Sequence, residues 1–175
     1  MIAVAPAQKR ILAVSSGGGH WVELMRIAPA FEGADLAFVT VNAEYRDDVM
    51  GHRFYAVNDA TRWNKLGVAI LAGQLLRIVM RERPDIVVTT GAAPGYFALR
   101  FGKMAGAQTI WLDSIANVNE LSMSGRMAGR YADLWLTQWR HLAARSRIEE
   151  PSENSARVAA TDRFTDYPQF AGAVL

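Results

Sequence analysis

Short apolar runs and glycine loops alternate along this chain. Residues 10–15 (RILAVS) form an apolar, partly β-branched run that stops at Ser16-Gly17-Gly18-Gly19-His20. Beyond it Trp21, Leu24, Met25, Ala28 and Phe31 recur at helical spacing, which predicts strand, glycine loop, helix. Residues 35–41 (DLAFVTV) read as a second buried strand and 53–57 as a weaker third. A long helix is predicted over 63–81, ended by Pro84, and 85–90 (DIVVTT) is another apolar strand. It runs into a second glycine loop, Gly91-Ala92-Ala93-Pro94-Gly95, and a helix reaching about Ala105. Strands at 108–112 and 133–137 follow, separated by a polar loop over 113–122 and a short helix near 124–131.

Strands that alternate with helices imply a Rossmann-like α/β fold, a parallel sheet covered by helices on both faces. In such a sheet ligands sit beyond the carboxyl ends of the strands, so loops 16–20, 91–95 and 113–122 are expected on one rim. The stretch 149–166 is polar and poorly patterned, and an apolar end follows at 170–175.

Composition bounds this picture. At 175 residues, 51% of them hydrophobic and 21% charged, the chain fits one domain over 1–175 that needs no disulfide or metal to fold. With Cys 0, thiolate metal sites, a cysteine nucleophile and a disulfide framework are excluded. No run of 18 apolar residues predicts a membrane span, and Lys9 and Arg10 follow the apolar opening, the reverse of a secretory signal. The net charge of +2 gives no reason to expect nucleic acid as a partner. Its distribution is uneven: 62–83 and 122–147 each carry +4, and 148–175 carries −3. Such asymmetry suits a surface that meets anionic head groups.

The loop SSGGGH offers backbone amides at a helix N-terminus, where donors and the helix dipole favour a phosphate or a sugar oxygen. It is not a dinucleotide fingerprint, because Val22 stands where the third glycine belongs, and it lacks a Walker lysine. By itself it is equally a tight strand-to-helix turn. His20 opens the helix on the expected rim, placed to take a proton from a hydroxyl, although a lone histidine there also serves as a helix-end hydrogen-bonder. Thr90, Gly91 and Gly95 make the second loop another candidate cradle. Asp113, Ser114, Asn117, Asn119 and Glu120 give the third loop sugar-binding groups and two carboxylates able to orient hydroxyls or act as a base. No HxxxH or HxH spacing and no carboxylate cluster points to a metal. The 63–81 helix is apolar in its middle and basic at its ends, so Trp63, Lys65, Arg77 and Arg81 are candidates to face a membrane interface, and a buried crossover helix is the alternative.

Together SSGGGHWVEL, RPDIVVTTGAAPG and DSIANVNELSMSGRMAGRYADLWLTQW resemble the motifs of the acceptor and membrane-recruiting subunit of the two-chain UDP-N-acetylglucosamine transferase of asparagine-linked glycosylation. They are more similar still to its bacterial exopolysaccharide relatives of the PssD kind. The resemblance spans about Arg10 to Trp139, and the ending from Tyr167 and Pro168 to Leu175 is similar to the family's C-terminal segment.

This resemblance implies the N-terminal, acceptor-side half of a GT-B glycosyltransferase, inactive alone, with a separate chain binding the nucleotide sugar and 149–175 at the partner interface. It implies a polyprenyl-diphosphate-linked acceptor in exopolysaccharide or capsule biosynthesis. The transmembrane anchor of the eukaryotic relatives is missing at the start, which implies peripheral attachment to the cytoplasmic face of the inner membrane. Inverting transfer with neither metal nor cofactor is implied, with His20 as base, or else Glu120 or Asp113. His20 matches the glycine-glycine-histidine position of the lipid-intermediate N-acetylglucosaminyltransferase of peptidoglycan synthesis. Ser16, Gly17, Gly18, Gly19, Thr90, Gly91, Gly95, Ser114, Asn117 and Asn119 would shape the acceptor crevice. The alternative is a non-catalytic scaffold that recruits a self-sufficient transferase to the membrane.

Overall fold

A computed structural model describes residues 8–61, 63–143 and 167–173. Its strands are β1 (Arg10–Val14), β2 (Asp35–Thr40), β3 (Arg53–Ala56), β4 (Ile86–Thr89), β5 (Gln108–Leu112), β6 (Leu134–Thr137) and β7 (Gln169–Phe170). They form one sheet in the order β3-β2-β1-β4-β5-β6-β7, and every adjacent pair is parallel. The helices are α1 (Gly19–Ile27), α2 (Lys65–Glu82), α3 (Ala92–Met104) and α4 (Met123–Ala128).

Both faces of the sheet are covered, as the alternation of strands and helices requires. Leu12 and Val14 of β1 point to one side and pack with Val39, Val87 and the α2 residues Leu71, Leu75 and Val79. Ile11 and Ala13 point to the other, against Phe38, Val88 and the α1 residues Trp21 and Leu24. A third cluster joins Leu99, Trp111, Ala128 and Trp135 beneath α4. Truncating a fully buried leucine such as Leu24 or Leu75 would cost about 2–5 kcal/mol.

Four boundaries differ from the sequence pattern, each for a local reason. The helix after the first glycine loop ends at Ile27 and continues as a 3-10 turn over Ala28–Phe31, because Pro29 has no N–H for the α ladder. The long helix starts at Lys65 rather than Trp63, since the Asn64 side chain caps it by accepting from Gly67 N at 2.9 Å. It stops at Arg83, whose left-handed backbone (φ 45°) precedes Pro84. The helix expected near 124–131 is α4 followed by a 3-10 turn at Gly129–Tyr131. At the far end Gln169 and Phe170 extend the sheet beside β6, whereas 149–166, part of the expected partner interface, lies outside the described residues.

Asp133 fastens β5 to β6. It accepts from Thr109 N at 3.0 Å and from Thr109 Oγ1 at 2.9 Å, and it pairs with Lys103. Burial opposes its charge, but the hydrogen bonds from Lys103 and Thr109 outweigh burial and hold its carboxyl below the usual carboxylate range. A depressed folded-state value stabilises above the unfolded value of about 3.9, and the contribution is lost as pH falls through the folded one. Asp133→Asn should therefore lower the thermal midpoint at neutral pH. The gap to the parent should close on acidification below about pH 3, measured by unfolding over a pH series.

Candidate functional site

The order of the strands reverses direction at β1 and β4: from β1 the chain first builds outward through β2 and β3, then returns to β4 and builds the other way. Loops leaving β1 and β4 must diverge there, which opens a crevice at the carboxyl ends of these strands. α1 and α3 both begin at this crevice, so the positive ends of two helix dipoles face it.

His20 and Thr90 bridge the two loops reciprocally. His20 Nδ1 lies 2.8 Å from the Thr90 carbonyl, and Thr90 Oγ1 donates to the His20 carbonyl at 2.7 Å. A carbonyl oxygen only accepts, so Nδ1 carries the proton and Nε2 of the neutral ring keeps its lone pair. The His20 side chain is 28% exposed. Gly91 forms the other wall. A Cβ there would stand 3.0 Å from His20 Cε1, and its backbone (φ 127°, ψ −165°) is one that glycine alone adopts readily. Ala92 beside it also has positive φ (63°), so the start of α3 stores backbone strain next to the histidine.

The first glycine loop is held from a direction the sequence pattern did not indicate. Tyr45, in a 3-10 turn over Ala43–Val49, accepts from Gly18 N at 3.1 Å and stacks on Trp21 with ring centroids 4.9 Å apart. Gly18 turns the chain with φ 64°. Gly19 and His20 supply the first amides of α1. Gly95 is buried against the Thr89 side chain, where a Cβ would collide, so it lets α3 approach the sheet and does not reach a ligand.

The third loop corrects the expected roles of its carboxylates. Asp113 is 1% exposed and accepts from Trp111 Nε1 (3.2 Å), Asn117 Nδ2 (3.1 Å), Ser122 N (3.1 Å) and Ser122 Oγ (2.7 Å). Four donors occupy its lone pairs, so it braces the loop rather than acting as a base. Asn117 spends its amide on this brace, and Ser114 donates to Glu23 Oε1 at 3.0 Å. Glu120 is 79% exposed and paired with Arg126 at 3.0 Å. With Asn119 it lines a separate cavity of about 540 Å³ bounded by Leu121, His141 and Tyr167. The carboxylate that does approach His20 is Glu23, 3% exposed, with Oε2 3.9 Å from Nδ1. Its position three residues after His20 on one helix was the available signal, but an acidic residue in an amphipathic helix reads as solvated.

Two larger cavities avoid this rim: one lies between α1 and β2 along Met25, Leu36 and Val49, the other at the amino ends of the strands by Arg10, Arg83 and Asp85. Among the described residues no group of three or more His, Asp or Glu side chains converges to hold a metal ion, and no helix is long and apolar enough to cross a membrane.

A parallel sheet of this order with its crevice at β1 and β4 is a Rossmann-like domain, the architecture from which each half of a GT-B fold is built. Solved structures agree: the chain superposes with a TM-score of 0.61 on MurG of Acinetobacter baumannii at 12% identity, covering 74% of this chain and 41% of that one. It superposes at 0.58 on a UDP-N-acetylglucosamine 2-epimerase of Rickettsia bellii, also at 12% identity, covering 77% and 40%.

Residues 63–152 match the family described as "Oligosaccharide biosynthesis protein Alg14 like", and the chain belongs to that family. It is 26% identical over 141 residues to a protein of Yarrowia lipolytica and 25% identical over 171 residues to one of Eremothecium gossypii, each named UDP-N-acetylglucosamine transferase subunit ALG14. The alignments cover 77% and 79% of this chain, and 62% and 76% of the fungal proteins.

The contact between Gly91 and His20 gives a direct check. Gly91→Ala should cost about 1–3 kcal/mol of stability through its backbone conformation and overpacking. It should also release the imidazole from the Thr90 carbonyl, read as a change in the ring-nitrogen NMR signals of His20.

Proposed function

We propose that this chain is the acceptor-side half of a two-chain, inverting UDP-sugar glycosyltransferase that extends a polyprenyl-diphosphate-linked sugar in exopolysaccharide or capsule biosynthesis. The observation that carries the proposal is the tautomer imposed on His20. The Thr90 carbonyl accepts from Nδ1–H, and the basic Nε2 is left at a crevice flanked by two helix N-termini. The family membership and the names of the fungal relatives support the two-chain reading.

In this mechanism the acceptor hydroxyl binds with its proton toward His20 Nε2. As its oxygen attacks the anomeric carbon, the proton passes to Nε2 and the bond to the UDP oxygen breaks, inverting the configuration. The partner chain receives the charge on UDP. The amides of Gly19 and His20, with the dipoles of α1 and α3, hold the diphosphate or sugar oxygens of the acceptor. Ser16, Gly17, Gly18 and Gly91 shape this wall, while Thr90, Gly95, Ser114, Asn117 and Asp113 keep the loops in place. Transfer from a labelled UDP-sugar into the lipid fraction should need both chains. His20→Ala should reduce turnover about 10²–10⁴-fold while the complex still assembles. Undiminished transfer by that variant would favour the scaffold alternative.

The outer face of α2 gives the lipid-linked acceptor a place to be met. Leu66 (72% exposed), Ile70 (45%), Leu76 (45%) and Met80 (59%) form an apolar stripe at helical spacing, with Trp63 at its start and Lys65, Arg77 and Arg81 beside it. Such a face lies peripherally on an anionic bilayer, here the cytoplasmic side of the inner membrane. The full chain should co-float with vesicles containing an anionic lipid and release at high salt. Leu66→Glu with Ile70→Glu should weaken this binding about tenfold or more without lowering the thermal midpoint.

A further inference from the structure

Glu23 is a buried carboxylate that the mechanism above leaves unused. Its two oxygens differ sharply. Oε1 accepts from Ile115 N (2.8 Å), Ser114 Oγ (3.0 Å) and Gln138 Nε2 (3.3 Å), which ties α1 to the loop after β5 and the end of β6. Oε2 is buried, has no hydrogen-bond partner, and lies 3.9 Å from His20 Nδ1. An unpaired oxygen on a buried carboxylate is costly, and tethering the loop does not require it, because the carbonyl of a glutamine would accept the same three donors.

The charge has a use once His20 takes a proton. In the neutral ring Nδ1–H is satisfied by Thr90, and Glu23 Oε2 is idle. When Nε2 gains the acceptor's proton the ring becomes a cation inside a partly closed site. The other elements around it offer no anion: the loop Ser16–Gly19 is uncharged, Tyr45 is engaged with Gly18, and Thr90 and Gly91 contribute backbone and a hydroxyl. Among the described residues Glu23 is the charged side chain within 4 Å of the ring. An interaction absent from the resting state and present as charge develops lowers the barrier rather than merely tightening binding.

We infer that Glu23 is the positioning and charge-balancing residue for His20, and that the same carboxylate couples the 113–122 loop to the base. The inference rests on the proposed role of His20, and its first test does not. In the isolated full chain, Glu23→Gln should lower the midpoint at which the His20 ring titrates, followed by ring-nitrogen NMR, by about one pH unit, since removing a nearby carboxylate disfavours the imidazolium. In the parent protein the Glu23 Cδ resonance should shift in step with that titration. This second measurement needs no variant, so a failure of Glu23→Gln to fold leaves the inference testable. An unmoved midpoint in a folded variant, or a Cδ signal indifferent to His20 protonation, overturns it.

In the two-chain enzyme Glu23→Gln should reduce kcat about tenfold, matching one pH unit of lost stabilisation, with KM for the lipid-linked acceptor unchanged. Full activity of Glu23→Gln alongside an inactive His20→Ala would overturn the inference and leave the base intact. An active His20→Ala would overturn the base, while the NMR coupling would still report the ion pair.

Discussion

Two hydrogen bonds between His20 and Thr90 hold the site together. Each residue gives the other a donor and an acceptor, one from the backbone and one from the side chain, at distances of 2.8 and 2.7 Å. The pair spans the gap where the strand order reverses, the one place in a parallel sheet where neighbouring loops part. Left untied, the first glycine loop and the start of α3 would move independently. Tied, they fix the imidazole in one plane, one tautomer and one orientation. The positive φ of Gly91 and the strained one of Ala92 lie beside that tie, where the chain after β4 turns sharply to present its carbonyl and still leaves room for the ring.

The third loop is organised about a different buried carboxylate. Asp113 collects donors from residues two before and four and nine after it, which closes the segment on itself. Gly125 lies against this brace, where a Cβ would come within 2.5 Å of Asp113 Oδ1, so α4 can start only with a residue lacking a side chain there. Gln138 connects the two systems, donating to the Asp113 carbonyl at 3.2 Å and to Glu23 Oε1 at 3.3 Å. The loop is thus closed on itself and joined to α1, and hence to His20, through the Glu23 carboxylate.

What the chain pattern revealed follows from how far each feature depends on distant residues. β1, β4 and their glycine loops were legible because apolar runs and turn residues are local signals, and a parallel sheet then brings loops 16–20 and 91–95 to one end. The role of Glu23 was not legible, because its burial depends on Ser114, Ile115 and Gln138, 91 to 115 positions away. Asp113 and Glu120 looked equivalent as acidic residues in one polar loop, yet one is buried under four donors and the other is mostly solvated. Exposure and donor geometry separate them, and neither is written in the spacing. Tyr45 was missed for the same reason, since a short 3-10 turn carries no lasting period.

The two basic segments are equal at +4 in the sequence, and among the described residues their cations are held differently. In the second, Arg126 pairs with Glu120, Arg130 and Arg140 lie over the rings of Tyr131 and Phe170, and Asp133 engages Lys103. Much of that charge is spent inside the protein. In the first, Lys65, Arg77 and Arg81 enter no salt bridge among the described residues and flank exposed apolar side chains on α2. Exposed apolar side chains are poorly served by water, and an interface that offers both acyl chains and anionic head groups satisfies them and the flanking cations at once. Because α2 follows β3, it begins at the carboxyl rim of the sheet, so Trp63 and Lys65 stand at the same end as His20. On the proposed reading, a membrane lying along this helix would deliver the lipid-linked sugar to the end of the sheet where His20 is held.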